Sequence, residues 1–239
     1  MTTARTSEAG PVDASIARLA LLADPTRAAL HRTLRDRETG ITRDEAAAAV
    51  GVSRSLVAFH LDRLVDAGLA TVTYERRNGR TGPGAGRPAK IYHRSAETVT
   101  ASVPERHYEL AAALFAQAIS ESTSGGLGVD AALAVAAEAY GRALGEAARS
   151  HTRGRPSRAA GVTAALAVLD DAGFEPETRD GSIVLRNCPF DALVRTNRDL
   201  VCGMNRSLMA GVIDGLRLTG IVASFEPRDG ACCVVWRPA

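Results

Sequence analysis

The chain has 239 residues, and its 29 Lys and Arg residues against 27 Asp and Glu give a formal net charge of +2. This length exceeds the usual single domain and predicts two compact units. The charge is uneven, because residues 14–94 carry +6 and the residues from 95 onward carry −3. A basic N-terminal third indicates contact with a polyanion such as nucleic acid. Without a signal-peptide core or about 18 uninterrupted apolar residues, the sequence predicts a cytoplasmic protein that spans no membrane.

Four helices are predicted in the N-terminal part, after a lead of residues 1–13 that is expected to be disordered. The first ends at Asp24, which is a favourable N-cap for the second, and Pro25 suits the first helical position. The second runs to about residue 37. Thr42 and Ser53 predict the starts of two more helices, 43–50 and 54–67, each followed by a glycine. Together they form a helix, a tight turn and a helix.

A β-hairpin is predicted directly after the fourth helix. Residues 69–77 and 88–94 have the β-branched and aromatic composition of strands, and the segment between them is rich in Gly and Pro. A hairpin in this position is typical of the wing of a winged helix-turn-helix domain, which we place at residues 14–95.

The exposed face of the fourth helix holds the candidate base-reading residues. Such a helix reads the major groove with side chains near its N-terminus, which here are Arg54 and Ser55. Phe59 lies one turn further along and can contact a thymine methyl group or pack against the wing. His60 can donate to a phosphate, although a structural role in the core is an equal alternative.

Backbone phosphates are the expected partners of the remaining cations. Arg43 begins the preceding helix and is placed for a phosphate, but a surface arginine without a function is also common. The wing concentrates five further cations, which alternatively form only a solubilising run, and the glycines around Arg87 favour a minor-groove contact. These wing residues are Arg76, Arg77, Arg80, Arg87 and Lys90.

The rest of the chain predicts an α+β regulatory domain. Residues 103–122 form a connecting or dimerisation helix whose apolar stripe is Tyr108, Ala111, Ala112, Phe115 and Ile119. Residues 129–239 follow, with helices at 130–149 and 157–172, a hairpin turning at Asp180-Gly181, a helical segment at 189–216 and a second hairpin around residues 228–230. The expected architecture is therefore a winged helix-turn-helix, a connecting helix and a C-terminal α+β domain with a small antiparallel sheet.

The motifs LALLADPTRAALHRTL, DEAAAAVGVSRSLVAFHLDRLVDAGLA and GRPAKIYHR resemble the ArsR-type winged-helix repressors, and in particular the subgroup of iron–sulfur-sensing SufR repressors. This resemblance implies a homodimer bound to an inverted-repeat operator in double-stranded DNA. Cys188, Cys202, Cys232 and Cys233 are similar to the C-terminal cysteine pattern of that subgroup, which implies a sensory iron–sulfur cluster.

The cysteines themselves leave alternatives open. Strand alternation sends Cys232 and Cys233 to opposite faces of the last strand, so we expect three protein thiolates, with only one of the two as a ligand. Zinc would also need a fourth ligand, and reduced cysteines buried in the core are the third possibility.

Three functions compete on the sequence alone. The first is a regulator, most simply a repressor, whose cysteines sense redox or iron–sulfur status. The second is a regulator with a metal-free C-terminal domain that binds a small molecule. The third is an enzyme, which the sequence disfavours because it contains no catalytic motif in context, so we expect no catalysis.

Overall fold

A computed structural model describes residues 11–76, 88–124, 126–150, 158–228 and 230–239. The chain divides into two compact units, residues 1–101 and residues 102–239. None of the helices described is long and apolar enough to cross a bilayer. The class is α+β, as the sequence predicted, with helices and a small antiparallel sheet in each unit.

The first unit begins with α1 (Pro11–Ala20) and a short 3-10 helix (Leu21–Ala23), followed by α2 (Pro25–Arg35), α3 (Arg43–Val50) and α4 (Arg54–Asp66). The predicted caps form. Asp24 accepts a hydrogen bond from the backbone of Arg27, and Thr42 and Glu45 make a reciprocal capping box at the start of α3. These side chains satisfy backbone N–H groups that a helix leaves unpaired.

The wing consists of β1 (Ala70–Glu75) and β2 (Ala89–Arg94), which pair antiparallel from Ala70 opposite Arg94 to Glu75 opposite Ala89. Ile41 adds a bridge to Tyr92 on the other side of β2, through backbone hydrogen bonds of 2.9 and 2.8 Å. The hairpin is thereby joined to the segment between α2 and α3. The core beneath it contains Leu30, Leu34, Val57, Leu61, Leu64 and Tyr92.

The second unit contains α5 (Tyr108–Thr123), α6 (Val129–Ser150), α7 (Arg158–Asp171), α8 (Asp191–Val194) and α9 (Arg198–Gly215). Helices α6 and α9 approach so closely that their backbones touch. A Cβ added at Gly141 would overlap the carbonyl of Leu208, and one added at Gly211 would overlap the carbonyl of Glu138. Glycines on both helices therefore permit this packing.

Four strands complete the second unit: β3 (Pro176–Arg179), β4 (Ser182–Leu185), β5 (Ile221–Phe225) and β6 (Val234–Pro238). The two predicted hairpins join into one antiparallel sheet with the order β3-β4-β6-β5. The central pair is set by Ile183 opposite Trp236 and Val184 opposite Val235. Non-local pairing of this kind has no signature in the local sequence pattern.

Several expectations need correction. Helix α1 begins at Pro11, inside the lead expected to be disordered. The predicted helical segment 189–216 is broken into α8 and α9, and Asn197 precedes the second as its N-cap. On α5 the buried residues are Ala111, Leu114 and Ala118, and Phe115 packs against the core beside them. The predicted stripe is therefore right for Ala111 and Phe115 and wrong for Ile119, which is 53% exposed, and for Tyr108 and Ala112, which are also exposed.

Candidate nucleic-acid interface and cysteine site

The N-terminal end of α4 presents the predicted base-reading residues. Ser53 caps the helix by accepting a hydrogen bond from the backbone N–H of Leu56 at 3.3 Å. Arg54 follows in the first turn and its Nε lies 2.6 Å from Asp44 Oδ1, with side chains 65% and 72% exposed. The Ser55 hydroxyl lies 3.2 Å from that of Ser53. An ion pair this exposed exchanges readily with another anion, because water screens it strongly.

Phe59 and His60 lie next to each other in α4 but have different surroundings. Phe59 is 53% exposed, and its ring contacts Arg63 at 5.2 Å in a cation–π arrangement. His60 is only 6% exposed, and its Nδ1 lies 3.5 Å from an Arg27 guanidinium nitrogen. This burial favours the structural role for His60, whereas Phe59 keeps an open apolar face.

Asp62 joins helix α4 to the wing. Its Oδ1 accepts hydrogen bonds from Tyr92 Oη at 2.7 Å and from Lys90 Nζ at 3.0 Å. Its Oδ2 accepts a hydrogen bond from Arg43 at 2.8 Å, and the Arg43 Nε also donates to Tyr92 Oη at 2.9 Å. Two of the predicted phosphate-binding cations thus converge on one carboxylate, which the sequence analysis did not single out.

The charges of this cluster are interdependent. Burial by itself would raise the pKa of Asp62, but hydrogen bonds from Tyr92 and Lys90 and the charge of Arg43 outweigh it, and the pKa is lowered. Burial and the Asp62 hydrogen bond raise the pKa of Tyr92 to about 12. Two cations facing one carboxylate leave an excess positive charge at the junction of α3, α4 and β2.

A groove of about 470 Å³ opens beside this cluster. It lies between the first turns of α3 and α4 and the loop end of the wing strands, and Arg43, Arg54 and Lys90 line it together with Asp44 and Tyr74. Arg76 is exposed just beyond β1. The predicted wing contacts Arg77, Arg80 and Arg87 lie outside the described residues.

The four cysteines of the second unit come together in two pairs. Cys188 and Cys232 influence each other's pKa, and Cys233 influences the pKa of Cys202. Cys232 and Cys233 precede β6 instead of lying on it as we expected, so strand alternation does not separate them. Both are buried, and each approaches a different cysteine.

The environments of these thiols differ. The hydrogen bond from Cys232, with help from the Phe190 backbone N–H and the charge of Arg106, lowers the pKa of Cys188. Burial and the hydrogen bond with Cys233 raise the pKa of Cys202 to about 12. Of Cys188, Cys202 and Cys232, Cys188 is therefore the thiol that most favours its thiolate form.

Two supporting residues were missed by the sequence analysis. An Arg106 guanidinium nitrogen donates to Asn187 Oδ1 at 2.5 Å and to the Cys188 carbonyl at 3.4 Å. Local sequence contains no signal for a contact over this separation. Asn205 donates to Cys232 Sγ at 3.2 Å, and its own Oδ1 is buried without a partner. The apolar periodicity of the α9 sequence could have revealed Asn205, because this polar residue interrupts the buried stripe between Val201 and Leu208.

The chemistry of this donor set suits an iron–sulfur cluster, which cysteine thiolates hold. The unpartnered Oδ1 of Asn205 beside Cys232 also leaves a polar atom available there. Within the described part of the chain, no group of three or more His, Cys, Asp or Glu residues is placed to hold a metal ion.

The comparison with known proteins gives a match within the first unit only. A family model described as a helix-turn-helix domain matches residues 22–73, which cover α2, α3, α4 and most of β1. The match supports a DNA-binding helix-turn-helix regulator. No curated protein and no solved structure matches the chain significantly.

Proposed function

We propose that this chain is a non-catalytic, cytoplasmic repressor of the ArsR type, close to the SufR subgroup, which binds an inverted repeat as a homodimer. The observation that carries the proposal is the groove in which Arg43, Arg54 and Lys90 meet between the first turn of α4 and the wing. A DNA backbone needs cations along such a path, and bases are read from the adjacent helix terminus.

Within this proposal, the residues divide by role. Arg54 and Ser55 read base edges, with Phe59 available for a thymine methyl group, because all three lie on the open face of α4. Arg43 and Lys90 contact phosphates while Asp62 holds them at a defined spacing. Arg76, Arg77, Arg80 and Arg87 add affinity through the wing, and His60 supports the helix from within.

The proposed homodimer is supported by apolar side chains left exposed on α5 and α6. Ile119 is 53% exposed and Val135 is 55% exposed, and Leu127 and Val129 are also open to solvent. Light scattering should give the mass of a dimer, and Ile119→Glu or Val135→Glu should shift it toward the monomer. Val222→Glu, at an exposed position of β5, is the matched control. An unchanged dimer in the first two variants would exclude this face.

The proposed sensor is the cysteine site. Cys188, Cys202 and Cys232, with Cys233 as the alternative to Cys232, would hold an iron–sulfur cluster, and such a cluster supplies redox sensitivity when bound. In this proposal Arg106 stabilises the Cys188 thiolate, and Asn205 orients Cys232. The loop that carries Cys188 would then take different positions when the cysteines hold the cluster and when they are free thiols.

The decisive experiment selects bound sequences from random DNA with protein prepared anaerobically and again in air. We expect an inverted repeat in at least one state and a change in affinity between the two states. Iron content and the absorbance spectrum test the cluster separately. A colourless, iron-free protein with four intact thiols would remove the cluster, and a Cys188→Ser, Cys202→Ser, Cys232→Ser variant with an unchanged redox response would remove the sensor.

A further inference from the structure

The second unit contains a cavity of about 330 Å³ that the proposed DNA and cysteine chemistry does not use. It lies among the first turn of α5, the C-terminal half of α6, the end of α7 and the loop before α8. Its apolar walls include Leu110, Leu144, Val168, Phe174, Phe190 and Leu208. This volume falls within the range of small-molecule sites.

The walls of this cavity are ordered by their own packing. Phe174 and Phe190 contact edge to face, with ring centroids 6.2 Å apart, and both rings are almost fully buried. Tyr140 is partly exposed at the mouth. Protein interiors are normally close-packed, so a space of this size with buried aromatic rings in its wall and an opening to solvent is suited to an occupant.

Two polar side chains determine the chemistry of that occupant. Asp171, at the end of α7, is exposed, and it is the only Asp, Glu, Lys or Arg among the described residues that line the cavity. His107 also lines it, and its buried Nε2 lies 3.1 Å from Glu105 Oε1 but makes no hydrogen bond of acceptable geometry. A carboxylate at an apolar site attracts a cation and repels an anion.

We infer that this cavity binds a small, largely apolar amine, with its hydrocarbon part on Phe174 and Phe190 and its ammonium group facing Asp171. The hydrocarbon part replaces water against the apolar walls, which supplies most of the favourable free energy. The ammonium group supplies selectivity, because a carboxylic acid of the same shape would place its charge next to Asp171.

Occupancy of the cavity also affects the cysteine loop. Phe190 is two residues after Cys188, and the His107 backbone N–H donates to the Pro189 carbonyl at 3.1 Å. A ligand against Phe190 and His107 therefore contacts one residue of the loop that carries Cys188 and one residue that is hydrogen-bonded to that loop. This regulatory consequence rests on the proposed function, whereas binding of the amine does not.

The test uses the full chain under reducing conditions and three probes of similar shape: 2-phenylethylamine, 2-phenylethanol and phenylacetate. We expect titration calorimetry to show the amine binding at least 10-fold more tightly than phenylacetate, with the alcohol between them. Asp171→Asn should reduce the amine's affinity to that of the alcohol. Asp170→Asn, the adjacent carboxylate on α7 that does not line the cavity, should change nothing.

A variant that fills the space completes the test. Ala148→Leu should abolish binding of all three probes while circular dichroism confirms the fold, and Ala172→Leu is the substitute if the first variant does not fold. Binding of phenylacetate as tight as that of the amine, or amine binding that neither Asp171→Asn nor a filling variant changes, would overturn the inference. Absence of binding by every probe would overturn it as well.

The effect on DNA is measured separately, with and without the amine, on the selected operator. If the amine binds but operator affinity is unchanged, the site is retained and its regulatory role is rejected. If the chain binds no DNA at all, the proposed function fails, while the calorimetric result for the cavity is unaffected.

Discussion

Asp62 on α4 and Tyr92 on β2 are joined by a hydrogen bond of 2.7 Å from the tyrosine hydroxyl to the carboxylate. This hydrogen bond connects α4 to the wing. Arg43 and Lys90 contact the same carboxylate. One acidic side chain therefore joins α4 to both α3 and the wing.

Replacement of Asp62 tests this connection. Asp62→Asn removes the charge that Arg43 and Lys90 share, and we expect the free energy of unfolding to fall by about 1–3 kcal/mol, as for other charged hydrogen-bond partners. Discrimination between operator and random DNA should fall as well, because the wing is held less firmly. Urea unfolding and fluorescence anisotropy measure the two effects. Asp66 is an exposed carboxylate at the end of the same helix, so Asp66→Asn should change neither the free energy of unfolding nor the DNA discrimination. Equal effects of Asp62→Asn and Asp66→Asn would contradict the role of Asp62.

The pH dependence of Tyr92 provides a second prediction. Its folded pKa of about 12 lies above its ordinary value of 10.0, so the folded state retains the phenol proton where the unfolded state loses it. The resulting stability is fully present below pH 10.0 and is lost as the pH rises toward about 12.

Ultraviolet titration of the folded protein should show a late phase of tyrosine ionisation near pH 12, and Tyr92→Phe should remove that late phase. Asp62→Asn should move the phase to lower pH, because the neighbouring negative charge is gone. A late phase that persists in Tyr92→Phe would assign it to another tyrosine.

Arg54 and Lys90 are predicted to weaken DNA binding in different ways. Arg54→Ala should cost about 1–3 kcal/mol, or about 5- to 150-fold, at its own base pair, with little change in salt dependence. Lys90→Gln should weaken binding to all sequences alike and reduce the salt slope by about 1, because it removes one phosphate contact.

The comparison is made by anisotropy over a range of salt concentrations. Asp44→Asn releases Arg54 from its ion pair and should strengthen binding, whereas Arg179→Ala, an exposed arginine of the second unit, should have no effect. If Arg54→Ala lowers affinity equally for operator and random DNA, Arg54 contacts phosphate instead of a base.

The contact between α6 and α9 predicts opposite effects for two glycines of the same helix. Gly211→Ala places a methyl group against the Glu138 carbonyl, and we expect a loss of about 1–3 kcal/mol or more. Gly203 has nothing within 4 Å of the added carbon, so Gly203→Ala should stabilise α9 by about 0.5–1 kcal/mol. Denaturant unfolding measures both, and similar values for the two variants would mean that the helices are less closely packed than described.

Local sequence was sufficient for most of the elements. Asp24, Thr42 and Ser53 predicted helix starts because each carries a side-chain acceptor for backbone N–H groups, and all three caps form. The predicted hairpins likewise occur where turn residues separate β-prone segments. Caps and turns depend on residues within a few positions of each other, which a sequence displays directly.

The tertiary structure decided how the candidate side chains are used. It buried His60, paired Arg54 with Asp44 and brought Arg43 and Lys90 to Asp62. It also joined the two C-terminal hairpins through β4 and β6 and placed the four cysteines together. These relationships depend on contacts between residues far apart in the chain, because burial and electrostatic partners follow from packing and not from residue type alone.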